Sequence, residues 1–218
     1  MVHGLCEILK SYLATVPFAD RVAGLCKPLK VMDGTVEKTI PAYFRDTKTA
    51  CLTDDYVNLL PDSKLMSIMF FEDNGFRQVG YYPRYMEFEA DLRLVVWWNY
   101  EKVNVNVSSP TTLVTSILKK LVGYLPNTNN YNALIVEYLG QEQRTAPYDR
   151  YTLSEAEHQY MTYPYDAVVL NFRVNFRMAL DCIDLITIEP KVCGEKIAFR
   201  INQPTAVVTM HLSTTDLS

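Results

Sequence analysis

The chain has 218 residues, 49% of them apolar, enough for one large domain with a substantial core or one domain with an appended arm. A formal net charge of -4, with base clustered only at the alternate Arg173 and Arg177, excludes a nucleic-acid binder held by a broad basic surface. The five scattered cysteines, Cys6, Cys26, Cys51, Cys182 and Cys193, form no CxxC pair; they exclude a common zinc motif and imply free thiols in a reducing cytosol.

Leu5 to Val16 carries Leu5, Ile8, Leu9, Tyr12, Leu13 and Val16 at helical spacing, and Pro17 ends it. A second short amphipathic stretch follows at Ala19 to Cys26, closed by Lys27-Pro28. Leu29 to Met32 and Val36 to Phe44 read as a hairpin around Asp33-Gly34, a type I′ turn dipeptide. Arg45 to Ser63 is irregular and polar. Leu65 to Phe71 is a compact apolar strand, Asp73-Asn74-Gly75 signals a hairpin, and Phe76 to Tyr82 returns.

Met86 to Trp98 alternates strictly. Met86, Phe88, Ala90, Leu92, Leu94, Val96 and Trp98 share one face, while Glu87, Glu89, Asp91 and Arg93 share the other. Trp97 belongs to that outer face. Ser109-Pro110 opens a helix with Leu113, Ile117, Leu118, Leu121 and Val122 on one side, ending near Gly123. Pro126 to Asn130 is a polar loop and Ala133 to Leu139 a strand.

Gly140 to Tyr165 is a polar insertion that holds Tyr148, Tyr151, Tyr160, Tyr163 and Tyr165. Within it, Ser154 and Glu157 fit a capping box for a helix over Glu155 to Met161. Val168 to Leu180 then repeats the alternation, with Val168, Leu170, Phe172, Val174, Phe176, Met178 and Leu180 inward and Asn171, Arg173, Asn175 and Arg177 outward. Each long strand would run about 40 Å. The acids of one and the arginines of the other are available for cross-strand or intermolecular pairing. Residues 190–218 read as an extended arm, with Lys196 to Asn202 and Ala206 to Leu212 as candidate strands.

The expected fold is therefore α+β: a long-stranded antiparallel sheet with helices packed on one face, a tyrosine-rich insertion at 140–165 and a C-terminal arm. Residues 1–189 would form the single core domain. No leader is expected at the N-terminus, and no segment approaches about 18 uninterrupted apolar residues, so no membrane span is expected.

Catalytic signatures are missing from the sequence. His3, His158 and His211 sit at no metal-ligand spacing with carboxylates, and each is expected to face solvent. There is no nucleophile elbow and no phosphate-cradling glycine array. Glu87 and Glu89, about 7 Å apart on one strand face, could in principle hold a divalent ion, but a solvated or salt-bridged face is the simpler reading. No enzyme activity and no cofactor are expected. The fifteen tyrosines carry more information, because tyrosine and arginine favour protein contacts. Candidate interface residues are Glu87, Glu89, Asp91, Arg173, Arg177, Tyr148, Tyr151, Tyr160 and Tyr163.

In the order of their elements, Leu65 to Trp98, Pro110 to Leu125 and Ala133 to Leu180 resemble the tail-terminator and tail-completion proteins of tailed bacteriophages, small α+β subunits that form rings at the neck. The insertion and larger size look more like the stacked ring proteins of crAss-like phage tails. Both the insertion and the arm depart from the compact form of that family. The resemblance implies a structural virion protein, made in the bacterial cytoplasm. It would form a homo-oligomeric ring against adjacent neck, tail or portal proteins, with DNA passing through the lumen. Its acidic and arginine-rich faces would form the subunit contact or line the lumen. The arm would add a strand to a neighbour's sheet edge. A β-sheet carbohydrate- or small-ligand-binding module, with Trp97, Trp98 and the tyrosines as stacking platforms, is the alternative. An enzyme using Glu87, Glu89 and Asp91 is a third.

Overall fold

The computed structural model describes residues 1–44, 56–103, 109–126, 131–142 and 147–179. All of these fall in one compact unit, Met1–Thr187. Leu180, the candidate arm at 190–218, Cys51, Cys182, Cys193 and His211 lie outside the described residues. The architecture is α+β and mostly sheet.

Helix α1 (Val2–Leu13) buries Leu5, Cys6, Leu9 and Leu13 along one stripe, so the helix expected at Leu5 begins three residues earlier. It also ends before Val16, and Val16 and Phe18 are buried beyond its end. The second amphipathic stretch holds strand β1 (Arg21–Leu25), which pairs in parallel with β5 (Ser67–Tyr82). Tertiary pairing overrides local propensity here, and Gly24 makes the difference. A Cβ at Gly24 would overlap Glu7 Oε1, which accepts from Tyr43 Oη at 3.0 Å. Gly24→Ala must displace that carboxylate from Tyr43 and Lys10. A loss of up to about 1 kcal/mol, the scale of a part-exposed ion pair, is expected, read as a lower urea midpoint.

Strands β2 (Lys27–Asp33) and β3 (Val36–Phe44) form the expected hairpin, and β4 (Tyr56–Asn58) adds a third strand to this small sheet. The turn differs by one residue from the expectation. Asp33 pairs with Val36, so Gly34 and Thr35 are the central pair. Only Gly34 has positive φ, at 64°, which is the pattern of a type II′ turn.

The main sheet has six strands in the order β1-β5-β6-β9-β8-β7. It comprises β1 and β5 with β6 (Tyr85–Asn99), β7 (Gly123–Leu125), β8 (Asn132–Glu142) and β9 (Tyr165–Ala179). Every pairing is antiparallel except β1 with β5, so the sheet is mixed rather than antiparallel throughout. Asp73-Asn74-Gly75 is not a hairpin. The register shifts between Asp73 and Gly75, where Gly75 has φ 147°, and β5 runs straight on. A bulge needs the same permissive backbone as a turn, so the two share one local signal. The true hairpin joins Tyr82 to Tyr85 through Pro83 and Arg84.

Helix α2 (Pro110–Leu121) starts on proline as expected and buries Leu113, Ile117 and Leu121. Those residues and the buried stripe of α1 share one core with Met69, Phe71, Phe88 to Trp98 on the even positions, and Val168 to Met178 on the even positions. A second core lies on the opposite parity. Ile68, Phe70, Val95, Trp97, Ala167 and Val169 pack there with Ile40 and Tyr43 of β3, Leu59 and Leu60, and Tyr148. One end of the sheet is thus buried on both faces. This corrects Trp97: like Trp98 it is fully buried, donates from Nε1 to the Tyr160 carbonyl at 2.6 Å and stacks on Tyr165.

Strand β8 reaches Glu142, inside the segment taken from sequence as an insertion. The capping box is present: Glu157 N–H donates to Ser154 Oγ, and Glu157 Oε2 accepts from Ser154 N–H at 2.6 Å. It opens a single α-turn, α3 (Glu155–His158), continued by a 3-10 turn at Gln159–Met161.

Candidate functional site

The outer face of the sheet changes character along its length. From β6 towards the β5–β6 turn, the buried Val95 and Trp97 give way to Arg93, Asp91, Glu89 and Glu87. The register places an opposite charge beside each. Arg93 faces Glu72, Asp91 faces Arg173, Glu89 faces Arg77 and Glu87 faces Arg177.

The expected acid–arginine pairing therefore occurs within the chain. Arg173 Nε donates to Asp91 Oδ1 at 2.9 Å and lies 3.1 Å from Glu89 Oε1. Arg177 Nε donates to Glu87 Oε1 at 2.5 Å, and its guanidinium covers the Tyr85 ring. Arg77 donates to Glu89. Hydrogen bonding to Asp91 and Glu87 raises the pKa of Arg173 and Arg177 respectively. The face is a ladder of paired charges, and each acid nominated as an interface residue already holds an arginine.

The charge cluster at the boundary of the two regions was not legible as such. Arg93, only 2% exposed, donates to Glu72 Oε2 at 2.7 Å and to both oxygens of Glu142 at 3.2 Å, and reaches Asp149 at 3.3 Å. Tyr151 Oη donates to Glu72 Oε1 at 2.6 Å and contacts Cys26 Sγ at 3.4 Å. Arg150 lies 3.2 Å from Glu72. The cluster ties residues 147–151 to the sheet. Its one sequence signal is an arginine on the outer face immediately before an apolar run.

The nominated tyrosines separate. Tyr148 is buried, donates to the Leu59 carbonyl at 3.1 Å and packs edge-on against Phe70. Tyr151 and Tyr160 are half-buried against the second core. Only Tyr163, 86% exposed, offers its ring to solvent. His158 is exposed as expected, whereas His3 is half-buried and its Nδ1 has no hydrogen-bond partner.

Burial pushes the Cys26 thiol up to about 12, against the opposing effect of its hydrogen bond with Tyr151, and burial raises Cys6 also. Neither is a ready thiolate. Under native conditions at pH 8 both should resist iodoacetamide and react once the chain is unfolded, as peptide mapping would read.

Among the described residues no group of three His, Cys, Asp or Glu could hold a metal ion, and no helix is long and apolar enough to cross a membrane. No protein-family model matches the chain, and no curated protein matches it.

What the sheet leaves open is its two edges. On one side, β1 covers only Ile68 to Phe71 of β5; among the described residues no strand pairs outside β5 from Glu72 to Tyr82. This stretch exposes Phe76, Val79, Tyr81 and Tyr82, with Tyr81 65% exposed. On the other side, β7 covers Leu134 to Val136 of β8, and among the described residues no strand pairs outside Tyr138 to Glu142. Tyr124 of β7 is 62% exposed, and Leu139 is exposed as well. Long apolar edges invite pairing with another chain unless they are blunted. The register shifts at Asp73/Gly75 and Gln78/Gly80 break the β5 edge into short lengths, which limits indiscriminate pairing.

Proposed function

We propose that this protein is a structural ring subunit of the neck or tail of a tailed bacteriophage, continuing the DNA channel between portal and tail. The observation that carries the reading is the pair of half-covered, apolar edges on opposite sides of one sheet. Such a subunit presents two different surfaces, as head-to-tail assembly requires, and such contacts close into rings when the rotation closes. The outer ionic ladder is satisfied within the chain, so it suits a lumen or solvent face better than the subunit contact. A net charge of -4 also suits a channel through which DNA slides without being gripped. The partners would be further copies of the chain and the rings above and below, and the protein would reside in the virion.

The carbohydrate-module alternative loses its best platforms, because Trp97 and Trp98 are both buried. The enzyme reading would need a free carboxylate, whereas Glu87, Glu89 and Asp91 each lie against an arginine.

Light scattering on the purified protein, with negative-stain images of the same peak, tests the reading. The expected result is a closed oligomer with a central hole. A protein that stays monomeric across concentration and salt series overturns it.

A further inference from the structure

Among the described residues each edge is paired over only part of its length, and the two are stepped in opposite senses. At the end where Trp97 lies, β1 stands outside β5 beside Ile68 to Phe71. Following the register across the sheet, Phe71 is level with Leu94, Leu170 and then Gln141 of β8. At that level β8 has no outer strand among the described residues. At the other end the arrangement reverses. Tyr124 of β7 pairs with Ile135, which is level with Asn175, Glu89 and Arg77 of β5. There β7 stands out and β5 is recessed.

Each edge is therefore half built out and half recessed, and the halves are complementary. We infer that a second copy docks edge to edge with no slide along the strands. Its β7 would fill the recess outside Phe76 and Arg77, while β1 of the first copy would fill the recess outside Gln141 of the second. This inference rests on the ring reading and names the contact that would build the ring.

The strand directions agree. β8 runs opposite to β5 and hence to β1, so the β1–β8 seam would be antiparallel. β7 runs with β5, so the second seam would be parallel. Side chains agree too. Exposed Arg77 on one copy would meet exposed Tyr124 of the next on the outer face, an arginine–tyrosine contact of the kind favoured at interfaces. A neighbour placed without slide repeats by rotation rather than by rise, which separates a closed ring from an open filament.

The test is a disulfide between copies. Arg77 and Tyr124 are both exposed and lie on the same outer face at the same level. Adjacent strands bring opposed Cα atoms within the roughly 4.4–6.8 Å that a disulfide spans. Arg77→Cys with Tyr124→Cys, assembled under reducing conditions and then mildly oxidised, should yield an inter-chain peptide joining positions 77 and 124. Neither single variant should yield it. Hydrogen exchange on the wild-type protein asks the same without substitution: Phe76 to Gln78 and Gly123 to Leu125 should gain protection on assembly. Assembly with neither the link nor the protection overturns the stepped contact and leaves the ring reading standing. A wild-type chain that never assembles overturns both.

Discussion

Replacing Arg93 with alanine is expected to cost about 3–5 kcal/mol of folding stability, the range for removing one partner of a buried ion pair. The reason lies in what stays behind. Glu72 is buried and, among the described residues, keeps Arg150 and the Tyr151 hydroxyl as partners, while Glu142 and Asp149 lose a guanidinium. The urea midpoint of Arg93→Ala should fall well below that of Arg177→Ala, whose ion pair is exposed and screened by solvent. Equal midpoints would show that the cluster is loose in solution.

The same cluster sets an acid limb. Burial tends to raise the Glu142 carboxyl, but hydrogen bonding and charge from Arg93 outweigh it, and the group sits below its ordinary 4.5. A depressed folded-state pKa gives stability that is complete above 4.5 and is lost as pH falls through the lower value. Arg93→Ala should therefore flatten the fall in stability on the acid side of the wild-type curve.

The second large effect belongs to Trp97→Ala, also expected to cost about 3–5 kcal/mol. The substitution empties part of the second core, removes the stack on Tyr165 and leaves the Tyr160 carbonyl without its indole donor. Denaturant titration of Trp97→Ala and Trp97→Phe, with far-UV circular dichroism as a fold control, would separate these losses. Phenylalanine keeps most of the volume and the stack, so its cost should be clearly smaller. Were Trp97 on an open face, alanine there would cost almost nothing.

The long strands were legible because half their length is amphipathic. From Met86 to Asp91, and from Asn171 to Met178, one face is core and the other is ionic, so period-two alternation is a true record of burial. At Leu92 to Trp98 the alternation no longer distinguishes the faces. Val95 and Trp97 are apolar because residues 147–165 and the small sheet cover them, and nothing near them in sequence announces that cover. Strand β1 was legible only as a short amphipathic stretch, for a related reason. Five residues carry too little periodicity to compete with a parallel partner some 45 positions away, such as Ile68 opposite Arg21. Strand β7 was missed because three residues show no period at all.

In the candidate site, the cross-strand ion pairs followed directly from the two opposed faces. The Arg93 cluster did not, since Glu142 and Asp149 reach it from β8 and from the segment that follows. The edges were legible only as long strands; their steps depend on which short strands pair where.

The run from Leu92 to Asn99, buried on both sides, also has a consequence in time. Leu94-Val95-Val96-Trp97-Trp98 has no charge and no proline, the composition that pairs most readily with other unfolded chains. Its cover on one face includes Tyr148, about 50 residues further on, which at 5–20 residues per second leaves the ribosome roughly 3–10 s later. During that interval the central strand has neither its outer lid nor β9 beside it. Nascent chains crowded on one messenger would hold this segment uncovered side by side, so yield in the cell should depend on chaperone capacity and on the pace of translation through 100–165 more than on the stability of the finished fold.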